Sequence, residues 1–170
     1  MAEEKITIEP VLESVLLYCL NDAKERMEKG EQVVPFSALA VGETLFMEEH
    51  AADDPAESFA SARKTVAGAR GAKAYGFCYD GYITIDTALE QNVQRDCIIA
   101  EGGTPGDAYG HAIGLPYRVD ADGNLKFNDK PIYVSKAMNY MVYLTPDGEE
   151  VDLGLEEFTN ITEEGTSEEQ

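Results

Sequence analysis

From Glu9 to Lys29, Val11, Leu12, Val15, Leu16, Cys19, Leu20, Ala23 and Met27 recur at spacings of three and four. That rhythm commits the start of the chain to an amphipathic helix, whose apolar stripe has to be covered by something else. Pro10 suits the first helical turn and Gly30 the left-handed position just past the end. Glu13, Asn21, Asp22, Glu25 and Glu28 fall elsewhere around the helix.

The period then changes. Val33–Phe36 and Ala38–Val41 read as extended chain, and Gly42-Glu43 turns them into Thr44–Met47 as a hairpin. Pro35 cannot donate to a ladder and belongs at a strand start or an edge. A second helix is predicted over Pro55–Arg70, capped by Asp53 or Asp54 and ended by Gly71. Its stripe of Phe59, Ala62, Val66 and Ala69 carries little bulk, which requires a close neighbour. From Lys73 on the pattern is β. Ala74–Tyr79 and Tyr82–Ile85 flank Asp80-Gly81, a two-residue hairpin signal. Asp96–Glu101, Tyr109–Tyr117, Asn124–Phe127 and Ile132–Ser135 are further strands, with Asp120–Gly123 a turn, while Ala137–Leu144 reads as a final strand or a helical turn. The order helix, hairpin, helix, meander predicts an α+β fold: an antiparallel sheet of about five to seven strands, both helices packed on one face.

The chain has 170 residues, enough for one domain with a real core. Residues 1–150 are expected to form it, and 151–170 an acidic, partly disordered tail. The net charge is −20, and half of it lies beyond Lys136, where ten acids follow with no Lys or Arg. Such a field repels phosphate backbones and anionic headgroups, so nucleic-acid and membrane binding are disfavoured. It attracts basic proteins. Cys19, Cys78 and Cys97 are odd in number and sit in apolar surroundings, which suits buried thiols in the cytoplasm rather than a disulfide framework. The acidic N-terminal residues carry no secretory signal pattern.

One stretch invites a chemical reading: Glu101-Gly-Gly-Thr-Pro-Gly-Asp-Ala-Tyr-Gly-His111. Glycines let backbone amides close on an anion, yet no Lys or Arg lies within it and no helix follows, as phosphate loops require. It reads first as a connection and second as a ligand loop. The ligand-binding candidates are then Glu101, Asp107, Tyr109, His111 and Cys97, with Cys97–His111 a conceivable nucleophile pair if their strands adjoin. No setting that would activate a cysteine accompanies it. Glu48, Glu49, His50, Asp53 and Asp54 supply metal-type ligands, but adjacent Glu48 and Glu49 point to opposite faces of a strand, so no metal site and no cofactor are expected. Asp120–Asn124 lacks the glycine and glutamate positions of an EF-hand. No catalytic residue is assigned, and whether the chain is an enzyme stays open.

Nothing in these residues names an activity. The reading they favour is a non-catalytic interaction or regulatory module acting through a protein partner or self-association, a homodimer included; its eight tyrosines from Tyr75 to Tyr143 are good contact residues. The alternatives are a small-ligand binder or enzyme at Gly102–His111, and a nucleic-acid mimic for a basic partner.

Overall fold

A computed structural model of the chain describes residues 6–144; the expected acidic tail, including its apolar segment 151–161, lies outside them. Helix α1 spans Pro10–Glu28 and α2 spans Pro55–Ala67. The strands are β1 (Phe36–Val41), β2 (Thr44–Glu49), β3 (Ala72–Ile85), β4 (Val93–Gly103), β5 (Gly110–Val119), β6 (Leu125–Phe127) and β7 (Ile132–Ala137). They form one antiparallel seven-stranded sheet in the order β2-β1-β3-β4-β5, and the free edge of β5 is shared by β6 near its C-terminal end and β7 near its N-terminal end. The α+β class and the element order are as the sequence predicts. Among the described residues no helix is long and apolar enough to cross a membrane.

Local chemistry explains most boundaries. Pro10 opens α1, and Gly30 beyond its end takes φ 81°. Asp54 caps α2, its carboxylate accepting from the Ala56 N–H at 3.0 Å, with Pro55 in the first turn. Gly42, at φ 61°, turns β1 into β2 as expected, and Pro35 sits just ahead of β1.

Asp80-Gly81 does not turn. β3 runs straight through it, pairing Asp80 with Ile98 and Gly81 with Cys97. A local turn signal is overridden because one long partner, β4, satisfies the backbone on both sides of it. The real turn is residues 86–92, where Asp86 accepts from the Asn92 N–H at 2.9 Å and Asn92 adopts φ 58°. The segment after β7 continues neither as strand nor as helix: residues 140–143 form turns.

Strand alternation divides the core. Leu12, Val15, Leu16, Cys19, Leu20 and Ala23 of α1 pack on Phe36, Ala38, Ala74, Cys78, Ile98, Ala100, Ile113 and Leu115. A Cβ added at Gly76 would stand 3.0 Å from the Cys19 Sγ, so the glycine is what lets the helix lie this close. Val66 of α2 packs instead with Tyr75, Leu39 and Val41, while Phe59 meets Phe77 and Tyr79 with ring centroids 5.0 and 4.9 Å away. Those residues have the opposite parity on β1 and β3. The helices therefore lie on opposite faces, not together on one; an apolar stripe tells that a helix is covered, but the side is settled only by strand register.

Candidate functional site

The two ends of the glycine-rich stretch are strand. Gly102 and Gly103 end β4, Gly110 and His111 begin β5, and only residues 104–109 connect them. The glycines are required by backbone proximity: a Cβ at Gly102 would fall 1.9 Å from the Tyr75 carbonyl oxygen, and one at Gly110 would fall 2.0 Å from the Gly102 carbonyl oxygen. The connection is braced from within. Buried Asn139 donates from Nδ2 to the carbonyls of Thr104 (2.7 Å) and Asp107 (2.8 Å), and its Oδ1 accepts from the Met141 N–H at 2.9 Å. Thr104 Oγ1 donates to the Asp107 carboxylate at 2.8 Å, and the Gly106 N–H to Met141 O at 3.0 Å. These amides and carbonyls already have partners, as a structural loop requires and an anion cradle does not.

The five candidates separate. Cys97 pairs with Pro116, and Gly102 with His111. Cys97 and Gly102 are an odd number of residues apart on one strand, so Cys97 and His111 point to opposite faces and cannot act as a pair. His111 instead shares a 2.8 Å hydrogen bond between Nδ1 and the Tyr133 hydroxyl, and Tyr109 stands edge-on to it at 5.6 Å. Lys136 Nζ lies 4.3 Å from the Tyr109 ring centroid. Partial burial lowers the His111 pKa, Asp107 opposing and Lys136 adding to the effect. Asp107 belongs to the loop brace.

Glu101 faces the α2 side. It accepts from the Tyr79 hydroxyl at 3.0 Å; burial raises its pKa, and hydrogen bonds from Tyr79 and Tyr140 pull it partly back. The Arg63 guanidinium lies 5.5 Å from the Tyr140 ring centroid. This acid, two phenols and a cation tie α2 and the 140–143 turn to the sheet.

All three thiols are buried and unpaired. Burial lifts Cys19 to about 12, Cys97 to about 11 and Cys78 well above its ordinary value, so none carries thiolate near neutrality. Native protein at pH 8 is therefore expected to resist a thiol reagent, with labelling in urea tracking loss of secondary structure; one fast native cysteine would contradict this burial.

His50 is buried between two hydroxyls, Nε2 at 2.8 Å from Ser37 Oγ and Nδ1 at 2.9 Å from Ser61 Oγ. Burial lowers its pKa against the opposing pull of Glu48, whose carboxylate is 3.8 Å away. It joins the β1–β2 edge to α2. Glu49 turns the other way, to Arg26 of α1 at 2.9 Å, as strand alternation requires. Among the described residues no three His, Cys, Asp or Glu side chains converge as metal ligands.

Two further features lie outside the site residues singled out in the sequence. The outer flanks of α1 expose Leu17 (42%) and Tyr18 (48%), one above each of two grooves. The groove of about 400 Å³ is lined by Ile6, Ile8, Leu17, Ile113 and Tyr133; the other, of about 250 Å³, by Val11, Val15, Tyr18, Ala40 and Leu45. Leu17 and Tyr18 interrupt the otherwise polar outer side of the predicted helix, and that interruption was the available signal. The second feature is a cavity ringed by Arg95, Arg118 and Lys126. Comparison with protein-family models, with curated proteins and with solved structures finds nothing that matches this chain.

Proposed function

We propose that the chain is a non-catalytic interaction module that docks a basic, apolar-anchored segment of another protein along α1. The observation that carries this reading is the ridge of Leu17 and Tyr18 between two apolar grooves, on a helix whose inward stripe is already fully buried. Exposed apolar side chains gathered around grooves and rimmed by charge mark contact surfaces more than scattered ones do. The rim is mainly acidic: Glu13 lines one groove and Glu43 the other, Lys130 being the cation beside them, and Glu9, Glu25 and Glu28 are exposed along α1. At a net charge of −20 a second copy meets like charge, whereas a Lys/Arg-bearing segment is steered in.

Selection from a peptide-display library tests this. Enriched peptides are expected to combine Lys or Arg with apolar anchors, and to bind Leu17→Asp and Tyr18→Asp at least about tenfold more weakly than the original chain, as loss of a central anchor does. Phe46→Asp, on exposed β2, serves as the control and should leave binding unchanged. No enrichment, or equal binding by all variants, would count against the reading. A doubling of mass in light scattering that Leu17→Asp abolishes would transfer the same surface to a homodimer.

A further inference from the structure

We infer that the chain also holds a small phosphate-bearing anion in the cavity framed by Arg95, Arg118 and Lys126, a site separate from the α1 ridge. The sequence has 13 cationic side chains against 33 acidic ones. Three of those cations nevertheless meet at one cavity of about 250 Å³, contributed by β4, β5 and β6, with Asn128 and Asp129 completing the wall.

Their arrangement is unfavourable without an anion. Lys126 stands directly opposite Arg118 in the β5–β6 register. Arg95 lies two residues beyond the last β4–β5 pair, Cys97↔Pro116, and Arg118 lies two residues beyond it on the other strand. The three therefore form a row across neighbouring strands, with like charges side by side, a placement that weakens a sheet. Compensation is partial: Asp120 reaches Lys126 at 4.0 Å and Asp129 borders the cavity, two carboxylates against three cations. The Asp120 Oδ1 is already taken by the N–H groups of Asp122 and Asn124. The Nε of Arg95 is buried and makes no hydrogen bond. A buried unpaired donor on a charged group is costly and adds to the strain of this row of cations.

Two guanidinium forks and an ammonium match the oxygens of a phosphate monoester, which guanidinium engages in pairs. The cavity admits a phosphoryl group with a short carbon skeleton and is small for a nucleotide. The negative field of the rest of the chain turns long polyanions away, while a small ligand enters at little cost.

Isothermal titration of the full chain with inorganic phosphate, at ionic strength held constant with sodium chloride, tests the site. Saturable binding at one site is expected, weakened at least about tenfold by Arg95→Gln and by Arg118→Gln and within about twofold of the original for Lys64→Gln on α2, as loss of a charge-assisted contact implies. Without phosphate, Arg118→Gln is expected to raise Tm, because it relieves the opposed charges; a purely structural cation would lower it. No binding beyond the chloride control, or binding that survives both arginine substitutions, would overturn the site. So would a lowered Tm in Arg118→Gln with phosphate binding unchanged.

Discussion

Replacing Gly102 by alanine is expected to cost about 4 kcal/mol or more of stability, at the extreme of what single substitutions do. The new Cβ would lie 1.9 Å from the Tyr75 carbonyl oxygen, 2.9 Å from its carbon and 3.1 Å from the Gly76 Cα. Every one of those atoms is backbone, so no rotamer change relieves the clash; β3 and β4 have to part where they pair Gly76 with Gly102. Overpacking of a dense interior ordinarily costs about 1–3 kcal/mol, with side chains absorbing the strain, and here they cannot. Gly123→Ala provides the contrast. Gly123 sits at φ 84° with open space around it, so alanine there meets only backbone strain of about 1 kcal/mol. Urea denaturation of both variants measures the difference. A Gly102→Ala protein as stable as Gly123→Ala would mean that the strands are not this close.

Asn139→Ala carries the second largest effect, about 3 kcal/mol. It deletes three hydrogen bonds, leaving the Asp107 carbonyl and the Met141 N–H without partners and the Thr104 carbonyl with only the Asp107 N–H at 3.3 Å. Each buried orphan costs about 1–3 kcal/mol, partly recovered if water enters. Asn139→Asp separates the contributions, since it keeps the acceptor for Met141 but loses both donors and sets a charge beside the loop. It should be nearly as destabilised as the alanine variant. In either variant, amide exchange should accelerate first at residues 104–109. Unchanged exchange there, with stability intact, would remove Asn139 from its role as the brace.

What the sequence disclosed was local. The α1 rhythm with Pro10 and Gly30, the Gly42 turn and the Asp54 cap all work within a few residues of themselves, and each stands where it was expected. The misread features depend on partners distant in the chain. Asp80-Gly81 looks like a turn until β4 is known to run alongside it. The glycine-rich stretch reads first as a connection, but the need for its glycines shows only once Tyr75 and Asn139 are seen filling the space that side chains would take. Glu101 was singled out beside that stretch, but its companions Tyr79, Tyr140 and Arg63 come from other elements. Arg95, Arg118 and Lys126 never form a charged run. Only the Arg118–Lys126 half was within reach, because a hairpin closed by the Asp120–Gly123 turn sets those two residues opposite each other.

The central claim, that partners are engaged by α1 rather than by the glycine-rich stretch, is tested most directly by NMR. The isotope-labelled chain would be titrated with a selected basic peptide. Amide shifts are expected to concentrate at Leu17, Tyr18, Ile113 and Tyr133, with residues 104–109 undisturbed. Shifts centred on 104–111, or none anywhere on the α1 side, would contradict the account.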